Sequence, residues 1–264
     1  MGVFAFGAVI GSFLNVVIAR YGAETLKGRS KCPFCNTQLR WWELIPILSF
    51  IFLRRKCRHC RQKISWQYPL VELATATLFL LIYNLQFTTY NLIILWAIFS
   101  ILSVIVVYDI KHKIIPDALV FIFIGLSFLS LAGNAGVLSG NWGDFFRSGD
   151  FWAGPILAFP FAFLWFISKG KWIGLGDAKL TFGIGWFLGL VKGSSAVILA
   201  IWIGAVVGLV LVLASKFYAQ KQLSFAGKNF TIKSELPFAP FLILGALLVF
   251  FASWNVWDLS VLIF

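Results

Sequence analysis

The sequence predicts an all-α polytopic membrane protein of about eight transmembrane helices carrying one small cytoplasmic zinc-knuckle domain. Three observations predict it. Of 264 residues, 60% are hydrophobic and only 12% charged, and a mean hydropathy of +0.90 lies far above that of water-soluble domains. The apolar residues gather into runs of the length that crosses a bilayer as a helix, about 17 to 25 residues. The one long polar stretch holds all four cysteines in two Cys-x-x-Cys pairs.

The predicted spans are Gly2 to Ala19, Pro69 to Leu85, Leu92 to Tyr108, Ile114 to Ala132, Phe151 to Ser168, Trp172 to Val191, Ser195 to Ala214, and Phe238 to Trp254. The first is preceded by no basic residue and followed by Arg20, so it is expected to be a retained anchor rather than a cleaved signal. The domain division expected from this pattern is a first transmembrane helix at 1–20, a cytoplasmic four-cysteine domain at 21–68, and a seven-helix catalytic core at 69–264.

Charge sets the orientation. With eight spans, 20 of the 22 Lys and Arg fall on the side of Arg20, leaving Arg147 and Lys192 opposite. The positive-inside rule makes Arg20's side cytoplasmic and puts both termini outside. The net charge of +12 is thus mostly topology. No nucleic-acid partner is expected, since no recognisable binding module accompanies the charge; the lipid bilayer is the expected surroundings.

Between the first two spans lie "CPFC" (Cys32, Cys35) and "CRHC" (Cys57, Cys60), with 21 residues between the pairs. Each tight turn offers two thiolates, and a second turn folding back completes a tetrahedral zinc site. Disulfides are the alternative, but this side of the membrane is reducing. Four thiolates leave no position for water, so the zinc is expected to be structural. His59 is read as a solvated neighbour. A segment this short buries little core, and a metal staple suits it.

Acids are scarce, ten in all. Asp109 directly follows the run Leu92 to Tyr108, and Asp177 lies in "GLGDAKL" (Gly174 to Leu180) at the start of the sixth span. If that span began after Asp177, 14 residues would remain up to Val191, too few to cross, so it is expected to begin near Trp172. A carboxylate within a bilayer helix costs about 2.5–3.5 kcal/mol on insertion scales and is presumed functional; a capping aspartate is the alternative. The topology puts both acids at the cytoplasmic surface. Two facing aspartates can hydrolyse a peptide bond without metal or histidine: like charges at close range leave one carboxyl protonated, and the charged partner takes a proton from water.

Gly174 and Gly176 let backbone, substrate or a partner helix come close beside Asp177, and Gly183, Gly185 and Gly189 continue a small-residue seam. Other chemistries fit less well. The only histidines, His59 and His112, lie outside the spans, which leaves no base for a membrane serine protease. His-Glu-x-x-His is absent. A proton-coupled transporter would carry acids nearer the midplane and internal repeats.

"GSFLNVVIAR" (Gly11 to Arg20), the cysteine pairs, "ELIPILS" (Glu43 to Ser49), "ISWQYPLVEL" (Ile64 to Leu73), "YDIKHKIIPD" (Tyr108 to Asp117), "GLGDAKL" and "LPFAPFL" (Leu236 to Leu242), in this order along nearly the whole chain, resemble the type IV prepilin peptidases. The resemblance implies a bacterial inner-membrane aspartic protease of the GxGD type that cuts the basic leader from prepilins or pseudopilins at the cytoplasmic face. It implies S-adenosylmethionine as methyl donor where the new amino terminus is methylated; no nucleotide-binding glycine loop accompanies it. By position it puts the catalytic pair on Asp109 and Asp177. Asp117 is the rival for the first role, with a structural reading as an acid in a helix's first turn. Lys179 is expected to snorkel to the headgroups. Glu43 and Glu72 lie in shared motifs, to bind leader or methyl donor or to pair with the basic segment. The presenilin and signal-peptide-peptidase group is an alternative protease family, but its Pro-Ala-Leu motif is missing. A non-enzymatic membrane scaffold recruiting a partner through the zinc module is the alternative outside enzymes. Oligomeric state is not legible.

Overall fold

The structure, a computed structural model, describes residues 1–22, 28–134, 149–220, 236–252 and 256–257. Among them the regular elements are helical, with two isolated antiparallel bridges. They are α1 (Gly2–Arg20), a 3₁₀ turn (Trp41–Leu44), α2 (Leu48–Phe52), α3 (Gln67–Asn84), α4 (Thr89–His112), α5 (Asp117–Asn134), α6 (Gly149–Ser168), α7 (Leu175–Gln220) and α8 (Ala239–Ala252). The predicted spans at Arg147's end and the basic loop with Lys216, Lys221, Lys228 and Lys233 touch residues outside the described ones or whose side chains are not described.

By length and composition α1, α4, α6 and residues Leu175–Ala214 of α7 can cross a membrane; the apolar parts of α5 and α8 are shorter. The chain is an all-α membrane protein with a four-cysteine knuckle. It divides into two compact units, Met1–Val107 and Tyr108–Phe264.

In the first unit α1 packs along α3 through missing side chains. A Cβ on Gly7 would stand 2.8 Å from the Ala76 Cα, and one on Gly11 2.7 Å from the Glu72 Cα. Only glycine permits backbones this close. Phe79 of α3 stacks on Trp96 of α4 at 4.8 Å between ring centroids, and the indole Nε1 donates to the Phe79 carbonyl at 3.2 Å.

The second unit is built around α7. Gly183 meets the ring of Phe123 on α5, and Gly185 meets the backbone of Ala153 and Gly154 on α6. Trp186 donates from its indole nitrogen to the Phe151 carbonyl at 2.9 Å. Gly245 of α8 lies against the Ala196 backbone. Gly183 and Gly185 of the predicted seam are thus helix-packing contacts, whereas Gly189 is a break in the helix.

Two expectations about this region need correction. The sixth span does not begin at Trp172: positive φ at Lys169 (50°) and Gly170 (78°) turns the chain, 171–174 is irregular, and the helix starts at Leu175. Nor does a loop at Lys192 to Ser194 separate spans six and seven. The break is at Gly189, with φ 77° and ψ 178° inside one 46-residue element. A Cβ on Gly193 would lie 3.6 Å from the Gly185 Cα; a straight helix separates residues eight apart by about 12 Å. The chain therefore turns back on itself at Gly189, a conformation glycine adopts without steric cost. The stretch before the break is about 21 Å long at 1.5 Å per residue, which is why length alone misplaced its start.

Candidate active site and four-cysteine centre

Asp109 sits in the last turn of α4, which runs one turn beyond it to His112. Its side chain is 4% exposed. One oxygen, Oδ2, accepts a hydrogen bond from the backbone N–H of Ala239 at 3.2 Å. Ala239 is the first residue of α8, so this N–H is one of the donors a helix cannot satisfy internally, and the positive end of the helix faces the carboxylate. "LPFAPFL" carries the interaction, with Pro237 leading the chain into α8.

Asp177 occupies the first turn of α7 and is partly buried. Its N–H donates to the Gly174 carbonyl at 3.2 Å, closing the turn that starts the helix, and its carbonyl accepts from the Thr181 hydroxyl at 2.8 Å. Asp109 and Asp177 interact electrostatically and line one cavity of about 1070 Å³. Its walls include Ile115, Leu157, Phe161, Val197, Ile201 and Phe238. The structure thus brings two acids 68 positions apart in sequence to the lining of one largely apolar trough.

The two nearest glycines behave differently. A Cβ on Gly176 would lie 2.9 Å from the Ile115 Cβ, so the α4–α5 connection packs where a side chain would be. A Cβ on Gly174 would meet only Asp177 Oδ2, at 3.6 Å, an ordinary contact, and the Gly176 nitrogen at 3.9 Å.

Asp117 opens α5 and also borders the cavity. Its Oδ1 is 2.8 Å from the Lys179 Nζ, and the same ammonium lies 5.2 Å from the centre of the Phe121 ring. Lys179 thus makes an ion pair that ties α7 to α5. Lys113 and Lys171 stand at the same cavity. Sequence reasoning missed Ala239, whose contribution is a backbone N–H and leaves no side-chain signature.

Among the cysteines the two halves are built alike. Cys32 N donates to the Thr37 carbonyl and Cys57 N to the Gln62 carbonyl, while Asn36 N and Arg61 N return to the Cys32 and Cys57 carbonyls. Asn36 and Arg61 both take positive φ, 54° and 56°, and each turn is closed by a bridge, Lys31 with Gln38 and Lys56 with Lys63. The four Sγ atoms lie within 4.8 Å of one another; Cys32 and Cys60 are 3.8 Å apart. A tetrahedral ion with bonds of about 2.3 Å spaces its sulfurs by about 3.8 Å, so the donor set fits a metal ion.

The other acids in shared motifs already have partners within the fold. Glu43, 7% exposed, accepts from the Arg40 N–H at 2.7 Å. Glu72, equally buried, accepts from the Ile47 N–H at 2.7 Å.

Residues 5–86 match the bacterial peptidase A24 N-terminal domain, and residues 96–209 the type IV leader peptidase family. The prepilin leader peptidase/N-methyltransferase of Bacillus subtilis is 32% identical over 94% of this chain and 92% of its own. That of Myxococcus xanthus is 35% identical over 80% of this chain, which spans 63% of the relative's length. That of Burkholderia pseudomallei strain 1026b is 30% identical over 94% of this chain and 84% of its own. No solved structure is a significant match. With both parts of the chain matched and the similarity running almost end to end in the Bacillus relative, the protein belongs to the type IV leader peptidase family.

Proposed function

We propose that the protein is an intramembrane aspartic endopeptidase that removes the basic leader of a type IV prepilin or pseudopilin, with Asp109 and Asp177 as the catalytic pair. The observation that carries this reading is the shared cavity: two carboxylates from different helices border one largely apolar trough, where the charge of Asp109 acts on Asp177. The pair holds one proton. Its charged member takes a proton from water as the water attacks the scissile carbonyl, and its neutral member hydrogen-bonds that carbonyl. The α8 N-terminus orients Asp109 through the Ala239 N–H and leaves the other carboxylate oxygen for the reaction. Gly176 and Ile115 fix the spacing between α7 and the α4–α5 connection.

Asp117 and Lys179 are proposed as a positioning pair, and Gly174 as the residue that keeps the cavity side of Asp177 open. The four-cysteine centre is proposed to hold structural zinc through Cys32, Cys35, Cys57 and Cys60; bound there, the ion would staple two turns that bury little else. The distribution of Lys and Arg supports an inner-membrane protein with the four-cysteine segment and the aspartates on the cytoplasmic side. Methylation of the new amino terminus from S-adenosylmethionine is supported by the names of the relatives.

The test is to incubate the purified protein with a prepilin and follow the substrate by mass spectrometry, with and without S-adenosylmethionine. Loss of the leader mass is expected, followed by a methyl gain only with the donor present. An unchanged substrate mass would overturn the peptidase reading; leader loss without methylation would remove the second activity alone.

A further inference from the structure

The four-cysteine segment carries a feature that neither metal binding nor proteolysis uses. α2, with sequence LSFIF, has no buried residue. Leu48, Ile51 and Phe52 are 50%, 62% and 79% exposed, and the flanking Trp41 and Trp66 are 74% and 55% exposed. In water a polar segment would have no reason to display so much apolar surface in one short stretch.

Position and charge identify the occupant. The residue before α2, Ile47, takes a positive φ of 62°, a strained state for a β-branched residue. Its N–H is held there by the Glu72 carboxylate at 2.7 Å. Glu72 lies five residues into α3, roughly 7 to 8 Å along a helix rising 1.5 Å per residue. The Asn15 amide near the end of α1 likewise donates to the Tyr68 carbonyl at 3.1 Å. The first bond holds the start of α2 beside α3 and the second ties α1 to the same end of α3, so α2 lies level with that end of the two helices. The surrounding bases Arg54, Lys56, Arg58, Arg61 and Lys63 are exposed, and the acid among the described residues of this segment, Glu43, is buried and engaged by the Arg40 N–H. Aromatic and aliphatic side chains beside uncompensated bases are the composition of a helix lying in the membrane interface. A basic peptide would be repelled by the same surface.

We propose that α2 and the tryptophans flanking it form an interfacial anchor that inserts into the leaflet bordering the four-cysteine segment, with the five bases contacting anionic phospholipid headgroups. The anchor fixes the cysteine knuckle against the lipid surface independently of whether the aspartates are active.

The test uses the full chain in nanodiscs of phosphatidylcholine alone or with phosphatidylglycerol. An environment-sensitive fluorescent amino acid is placed at Phe52, with a control at exposed Gln38, outside the proposed anchor. The expected result at position 52 is a blue-shifted emission, quenching by shallow lipid-borne spin labels, and protection from aqueous iodide of at least about twofold over the control, as for a probe about 5–10 Å into the headgroup boundary. Replacing Arg54, Lys56, Arg61 and Lys63 with Gln should reduce that protection in anionic discs and leave it unchanged in neutral ones. Iodide access equal to the control, with no lipid quenching, would overturn the proposal. So would protection that persists in detergent and rises with protein concentration, the sign of a second copy or another protein on this face.

Discussion

The two units of this protein each bury carboxylates, and they use them in opposite ways. In the first, Glu43 and Glu72 each close on a backbone N–H at 2.7 Å. In the second, Asp109 takes one N–H at 3.2 Å and, with Asp177, borders an open cavity. The glutamates are struts: their hydrogen bonds point into the fold and hold a 3₁₀ turn and a strained residue. The aspartates border a shared cavity instead, and the charge of Asp109 acts on Asp177. Burial of an acid in a membrane protein is therefore a poor guide to chemistry; a cavity shared with a second acid is a better one.

The sharpest way to break this contrast is to neutralise both kinds of acid. Asp109→Asn or Asp177→Asn should lower leader release by about 10²- to 10⁴-fold, the usual weight of acid–base groups, with the protein still folded. Glu72→Ala should reverse the pattern: cleavage persists once the protein is folded, while the Ile47 N–H is orphaned at a cost of about 1–3 kcal/mol, read as a lower unfolding temperature.

The glycines sharpen the same contrast from the packing side. Gly176→Val drives a side chain into Ile115, 2.9 Å from where its Cβ would begin, and should cost about 1–3 kcal/mol together with much of the cleavage rate. Ile115→Ala in the same chain should restore part of both. At Gly189, where φ is 77° and ψ 178° and a Cβ would meet the Asp150 carboxylate, alanine should lower stability by about 1–3 kcal/mol, measured by thermal melting in detergent. Gly174→Ala should leave the melting temperature nearly unchanged, because its Cβ meets no atom closer than 3.6 Å.

The four-cysteine centre, proposed as a structural metal site, extends the comparison. Chelation should open residues 21–68 to proteolysis and release about one zinc per chain, as expected of four thiolates closing one tetrahedral site. Unchanged digestion with no metal found would reject the metal site. The smallest effect is expected at the rim: Asp117→Asn or Lys179→Met removes a pair whose carboxylate is 63% exposed, worth at most about 1 kcal/mol, so cleavage should change by only a few fold.

Much of this was legible in the sequence for physical reasons that also mark what was not. Apolar runs of bilayer length announce helices whatever their neighbours, so α1, α4 and α6 fall close to their predicted ranges. Paired Cys-x-x-Cys turns carry their own local geometry, and the four thiols converge. The scarcity of acids drew attention to Asp109 and Asp177. Boundaries depending on backbone turns were less visible. The start of α7 is set by positive φ at Lys169 and Gly170, and the reversal at Gly189 is hidden inside an unbroken apolar run. Ala239 went unseen because a helix N-terminus acts through its backbone. The Lys179 to Asp117 pair joins residues 62 apart, and nothing local distinguishes a lysine that pairs from one that reaches for headgroups.

A mutant cycle on the two aspartates tests the central claim most directly. Leader release from a prepilin is measured for the unaltered protein, Asp109→Asn, Asp177→Asn and the double variant, each checked for folding. If the acids act as one unit, the double variant is no slower than the worse single, because either loss already disables the pair. Losses that multiply, or either single variant cleaving at the full rate, would contradict the account.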